Sequence, residues 1–174
     1  SCVCDIGVAP GISHMLAMRS SRFFDSMESL AIYVGGLPLA PQPPSFYKAS
    51  WSPRDVLLEF SRPATIRSDG QVVQVPAMSE AEIIQISSTS PPLELKLEAF
   101  ISDGLRTLVH SLPDVPRLVE KTLRYPGHLS MMRTLFDLGL LSEEAVSVPT
   151  HRETFRWCQL MSLQLCCCQN GSLT

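Results

Sequence analysis

A guanidinium, a phenol and an imidazole are crowded into Arg124-Tyr125-Pro126-Gly127-His128. The residues before this run read as an extended approach, and Leu129, Met132, Leu135 and Phe136 after it recur at helical spacing. Such a strand-to-helix break suits an anionic substrate, because arginine forks onto a carboxylate and the first turn of a helix carries N–H groups without internal partners. Two upstream segments carry comparable turn chemistry, Pro10-Gly11-Ile12-Ser13-His14 and Gly35-Gly36-Leu37-Pro38. Lys48, between Tyr47 and Trp51, is a further cation, suited to act as a base or as a second carboxylate contact. His14 and His128 sit just inside helix starts, where the dipole disfavours the imidazolium, although most histidines in such places are simply hydrogen-bonded parts of the structure.

The elements that must position these groups follow from periodicity. Residues 1–8, with Val3, Ile6 and Val8 apolar, read as the end of a buried strand. Pro10-Gly11 opens a helix whose expected inner face is Ile12, Met15, Leu16 and Phe23. Leu30, Ile32 and Val34 alternate with Ala31 and Tyr33, a strand that ends at Gly35-Gly36. The proline-rich stretch 38–44 is an irregular loop, since proline donates no ladder hydrogen bond. Residues 64–67 and 71–75 flank Ser68-Asp69-Gly70 as a hairpin. Residues 79–92 read as a short acidic helix or loop, and Leu93, Leu95, Leu97 and Ala99 as a half-exposed strand. Leu105, Leu108, Val109 and Leu112 form a helical stripe. Strands and helices interleave with hairpins and crossovers mixed, which predicts an α+β fold with a mixed β-sheet rather than a doubly wound one.

Composition narrows the function classes. The chain has 174 residues, 45% hydrophobic and 18% charged, with a formal charge of −3. A charge that mild argues against nucleic acid or an anionic membrane as partner, and no apolar run reaches the roughly 18 residues of a membrane span. The six cysteines lie at the ends, at 2, 4, 158 and 166–168, which points to a reducing, cytoplasmic setting rather than a disulfide framework. Neither Cys2-x-Cys4 nor Cys166-Cys167-Cys168 has the two-residue spacing that lets thiolates grip zinc, so no metal site is expected. No G-x-G-x-x-G, phosphate loop or G-x-S-x-G elbow is present. The segment 151–174 has neither clear periodicity nor caps, and the best it offers is a marginal helix from Phe155 to Leu165.

Three motifs occur in order: Asp5-Ile-Gly-Val-Ala-Pro-Gly-Ile-Ser-His-Met15, then Gly35-Gly-Leu-Pro38 with Tyr47-Lys-Ala-Ser-Trp-Ser52, then Thr122-Leu-Arg-Tyr-Pro-Gly-His128. Over residues 1–148 the chain thereby resembles the saccharopine dehydrogenase-like amino-acid dehydrogenases. With Leu97-Glu-Ala-Phe-Ile-Ser-Asp-Gly-Leu-Arg106, it looks closest to the branch that includes lysine 6-dehydrogenase. The resemblance implies a fold like the C-terminal substrate domain of those enzymes, a mixed sheet with helices packed on one face. It further implies that residues 1–12 connect to a nucleotide-binding domain, that 13–148 form a substrate-binding and dimerisation domain, and that 149–174 are a tail of undetermined role. Asp5, Gly7, Pro10 and Gly11 would lie near NAD or NADP held by that other domain, the chain binding no cofactor by itself. Gly36, Leu37, Pro38, Tyr47, Trp51, Arg124 and His128 would line the pocket for lysine, saccharopine or a related amino acid, with Lys48 the catalytic candidate and a homodimer the expected assembly. The rival expectation is a stand-alone, non-catalytic α+β module that dimerises or binds a ligand.

Overall fold

A computed structural model describes residues 4–89, 92–142, 144, 146–147 and 154–155. Its elements are α1 (Ile12–Ser21), β1 (Ser29–Val34), α2 (Pro53–Leu58), β2 (Ala64–Ser68), β3 (Gln71–Val75), β4 (Glu82–Thr89), β5 (Pro92–Ile101), α3 (Leu108–Ser111), β6 (Arg117–Arg124), α4 (His128–Asp137), β7 (Val146–Ser147) and β8 (Thr154–Phe155). Six strands make a mixed sheet of order β3-β2-β6-β5-β4, in which β1 also pairs β6, and helices pack on one face. The pairing β1–β6 is parallel, from Ser29 opposite Arg117 to Val34 opposite Thr122. The β2–β3 hairpin is antiparallel, and its Asp69-Gly70 turn has φ of 51° and 77°, the doubly left-handed geometry that Asp-Gly tolerates. The α+β, mixed-sheet expectation holds.

The chain divides into two compact units. The first comprises Ser1–Gly35, Pro63–Glu82 and Ala99–Leu123, and the second Gly36–Arg62, Ile83–Glu98 and Arg124–Thr174. The first unit is built around a cluster that includes Ala64, Ile66, Ile101, Leu105, Leu108, Val109 and Leu118. Each large aliphatic side chain buried there contributes about 1.5–3 kcal/mol relative to exposure. Strand β6 is buried from Leu118 to Arg124, polar residues included, so its charged groups must find partners inside the fold. Lys121 Nζ lies 2.7 Å from Glu82 Oε1 and 3.0 Å from the Glu80 carbonyl, while Tyr33, opposite Lys121 in register, donates to the same Glu82 oxygen at 3.0 Å. The Lys121 and Tyr33 hydrogen bonds together hold the Glu82 carboxyl below its usual pKa. Arg67 turns its guanidinium onto the carbonyls of Val109 and Leu112, where the short helix α3 ends.

Glu120, also buried, is accommodated by the absence of a side chain at Gly104: a Cβ there would lie 1.4 Å from Glu120 Oε1. Gly104→Ala must therefore displace a carboxylate that has little room to move. Overpacking of this kind costs about 2 kcal/mol, which urea denaturation of the variant will show as a lowered midpoint at unchanged slope.

Five expectations are corrected. Ile6 and Val8 are 61% and 73% exposed, and residues 7–11 close a tight turn through a Gly7–Gly11 bridge instead of a buried strand. Helix α1 forms where expected but presents Ile12, Met15 and Leu16 to solvent and buries Ala17, because periodicity locates an apolar stripe without saying what it faces. Residues 82–89 are strand β4, whose inward residues Ile84 and Ile86 outweigh the acidic lead-in. The stripe at 105–112 condenses to four helical residues, preceded by a turn. In the tail, Val146–Ser147 pairs antiparallel with Thr154–Phe155, so Phe155 is extended rather than helical. The rest of the proposed 155–165 helix, Trp157 and the cysteines at 2, 158 and 166–168 lie outside the described residues. Among the described residues no helix is long and apolar enough to cross a membrane.

Candidate functional site

The second unit gathers most of the residues singled out for substrate. Arg124 ends β6, which delivers its side chain, 5% exposed, to the interior. There Nη2 meets Glu59 Oε2 at 2.9 Å, and Cζ stands 4.3 Å over the Tyr47 ring, within cation–π range. Glu59 arrives from α2, a helix the periodicity did not reveal. Ser52 accepts from Asp55 N at 3.4 Å as N-cap and Pro53 occupies the first turn, a start signal that was present in Ser-Pro-Arg-Asp. Burial raises the Tyr47 phenol pKa; the Arg124 charge opposes this, Glu59 reinforces it, and a hydrogen bond with Trp51 lowers it. That last effect is the mark of an indole N–H donating to the phenol oxygen.

Tyr125 and His128 reach the loop that precedes Tyr47. Tyr125 Oη donates to the Pro38 carbonyl at 3.0 Å. His128 is 1% exposed, and its Nδ1 lies 2.6 Å from the Ser45 carbonyl. A carbonyl only accepts, so Nδ1 carries the hydrogen and Nε2 is the bare nitrogen. Nε2 is buried with no hydrogen-bond partner, and the ring sits 5.5 Å, centroid to centroid, from both Tyr47 and Phe60. Burial drives the His128 pKa down to about 4, with the Ser45 bond opposing and Arg124 reinforcing, so the imidazole is neutral at pH 7. Within the loop, Ser45 Oγ donates to Tyr47 O at 3.0 Å and Phe46 N to Gln42 O at 2.8 Å.

The start of α4 is occupied as well. Gly127 caps the helix at φ 97°, and the two oxygens of Glu98 accept from Gly127 N at 2.9 Å and Leu129 N at 3.0 Å. The amides expected to be open to an anionic substrate are held by the protein's own carboxylate. Glu98→Ala strips this cap and lowers stability by about 1–2 kcal/mol, and hydrogen exchange at the Gly127 and Leu129 amides accelerates relative to the middle of α4.

The remaining residues are more open. Gly36 and Lys48 are exposed, Leu37 and Pro38 half-buried, and the Trp51 indole is 52% exposed despite its bond to Tyr47. The loop's base is thus fastened at Pro38, Ser45 and Tyr47, while Lys48 and Trp51 stand outward beyond it. Sequence reasoning missed Glu59, Glu98, Phe60 and Ser45, the partners that hold the assembly.

Asp5, Gly7, Pro10 and Gly11 form a separate turn in the first unit. Asp5 and Gly7 are exposed, and Gly11 is buried at φ 137°. Gly7 N donates to Pro10 O at 2.8 Å, Ile12 N to Gly7 O at 2.9 Å and Ser13 N to Val8 O at 2.9 Å. With its leading amides bound to carbonyls, α1 does not fit the role of a dinucleotide phosphate cradle. The fold is likewise not a doubly wound sheet.

Comparison with known proteins matches residues 7–170 to the saccharopine dehydrogenase C-terminal domain. Mitochondrial α-aminoadipic semialdehyde synthase of Bos taurus is 32% identical over 149 residues, 81% of this chain and 16% of the relative. Saccharopine dehydrogenase (NADP(+), L-glutamate-forming) of Pyricularia oryzae is 30% identical over 166 residues, 88% of this chain and 35% of the relative. The apo saccharopine dehydrogenase (L-Glu forming) structure from Saccharomyces cerevisiae superposes with a TM-score of 0.62 at 27% identity, covering 79% of this chain and 32% of that one. The chain spans between about a sixth and a third of the length of these proteins. On the match of 7–170, which takes in nearly all of its residues, it belongs to the saccharopine dehydrogenase C-terminal domain family.

Proposed function

We propose that this chain is the substrate-binding and dimerisation part of an NAD(P)-dependent amino-acid dehydrogenase, with saccharopine as the amino acid. Residues 1–12 serve as the connection to the nucleotide-binding part, 13–148 as the substrate domain and 149–174 as the tail. The names of the relatives favour saccharopine over lysine itself, the substrate suggested by the lysine 6-dehydrogenase branch. A reducing compartment such as the cytoplasm completes the reading.

The observation that carries it is the fastened loop. Tyr125, His128 and Arg124 fix the carbonyls of Pro38 and Ser45 and the ring of Tyr47, so that Lys48 and Trp51 are presented at a defined place. Prepaid ordering of this kind is what a binding loop needs, because ordering it on binding would subtract from affinity. Saccharopine is a secondary amine bearing carboxylates on an aliphatic frame. The Lys48 ammonium suits a carboxylate, the Trp51 face suits the methylenes, and Gly36, Leu37, Pro38 and Tyr47 line the approach. Arg124 and His128 act through Tyr47 and the loop, as positioning residues. The nucleotide-binding part would supply the nicotinamide, whose chemistry is to accept hydride from the carbon next to the amine, while this chain's residues hold the substrate in place. The amine proton would then leave to a base other than Lys48, whose ammonium is engaged with the carboxylate, and water would split the imine into glutamate and an aldehyde.

Trp51 reports the test directly. In a Trp157→Phe background it is the one indole left of two. Saccharopine should change its fluorescence saturably, lysine more weakly, and NADP not at all. A saturable response to NADP with none to saccharopine overturns the proposal and leaves the non-catalytic module as the better reading.

A further inference from the structure

The segment from Tyr47 to Asp55 carries two opposite charges that the fold does not pair. Lys48 and Asp55 are both exposed, and neither makes an ion pair with the other or with any other described residue. The groups around them are committed. Glu59 pairs with Arg124 at 2.9 Å, Arg124 lies over the Tyr47 ring, and the Trp51 indole bonds the Tyr47 phenol. Glu59 N donates to the Asp55 carbonyl at 3.1 Å, a helical step that sets the two carboxylates four residues apart on one face of α2. That face is the one turned toward Arg124 and Tyr47. The Asp55 backbone is fixed there by its own N–H, which Ser52 Oγ accepts at 3.4 Å.

We infer that Asp55 accepts the primary ammonium of the ligand, so that the segment selects a zwitterion and not any carboxylate. The inference rests on the proposed function and deepens it. Besides its secondary amine, saccharopine carries one primary ammonium, beside a carboxylate at its lysine-derived end. With Lys48 on a carboxylate and the Trp51 face on the methylenes, Asp55 supplies the charged acceptor that this ammonium needs on leaving water. The same carboxylate discriminates against molecules that lack the ammonium. They would set an anion near Asp55 with no cation to compensate it, and repulsion of that kind is how a site rejects near-isosteres.

Titration calorimetry of the chain with saccharopine, and with saccharopine acetylated on its primary amine, tests the assignment. The parent should bind the acetylated form at least about tenfold more weakly, the worth of one charge-assisted hydrogen bond. Asp55→Asn keeps the backbone N–H that Ser52 accepts, so α2 retains its cap. That variant should bind saccharopine about tenfold more weakly than the parent and hold the two ligands within about twofold of each other. Asp55→Glu, which keeps the charge, should restore part of the preference. A residue that only supports α2 would weaken both ligands alike and leave the preference intact. A parent that binds both forms equally, or an Asp55→Asn chain that keeps the preference, overturns the inference and leaves the proposed function standing. A parent that binds neither form overturns both.

Discussion

Arg124→Ala lowers the unfolding free energy of this chain by about 3–5 kcal/mol, the cost of breaking a buried ion pair from one side. The mechanism is specific. The substitution leaves the Glu59 carboxylate, 15% exposed, facing an emptied space, and removes the cation from over Tyr47. Arg124→Lys recovers only part of this, because an ammonium can pair with Glu59 but does not reproduce the guanidinium contact over the Tyr47 ring. Replacing both partners, Arg124→Met with Glu59→Leu, should return stability to within about 1 kcal/mol of the parent, since an apolar pair of similar volume needs no charge compensation. Urea unfolding of the parent and the three variants gives the comparison. A double variant as unstable as Arg124→Ala would show that the site depends on the charge itself and not on filling the space beneath Tyr47.

Acid should loosen the same region through His128. Its pKa in the folded chain, about 4, lies below the ordinary 6.5, so the unfolded chain takes up the proton first. Stability from this residue is complete above about pH 6.5, falls as pH drops through the window, and is exhausted near pH 4. Across that interval the loss is about 3 kcal/mol for the one group. In His128→Phe the pH-dependent component disappears, although the variant starts less stable because the Ser45 carbonyl loses its donor. Unfolding free energies at a series of pH values separate the two effects. A parent and variant with parallel pH profiles would remove His128 from the account.

Much of the fold was legible because the pattern of burial matched the pattern of residues. Leu30, Ile32 and Val34 face inward along β1, Asp69-Gly70 turns the hairpin, and the β6–α4 break falls at Arg124 to His128. Strand β4 escaped notice because it is half-exposed: Ile83 is 54% exposed, so the alternation that marks a strand is blurred. The residue types gathered around Tyr47 were also legible, since Arg124, Trp51 and His128 do converge on that ring. Their orientation was not. An arginine aimed at substrate and one paired with Glu59, 65 positions earlier, look the same in sequence, as does a helix start capped by Glu98 from 29 positions away. Charge compensation at that separation is set by topology, which local spacing does not encode.

The central claim is that the Arg124–His128 run holds the loop while Lys48 and Trp51 meet the amino acid. Its most direct test compares saccharopine affinity, by titration calorimetry, in Lys48→Met and in the repaired Arg124→Met/Glu59→Leu chain. Lys48→Met should bind at least about tenfold more weakly, the loss of one charge-assisted contact, at unchanged stability. The repaired chain should bind within about threefold of the parent, since its loop is still held at Pro38 and Ser45. The reverse outcome, affinity lost with the Arg124–Glu59 pair and kept without Lys48, would contradict the account.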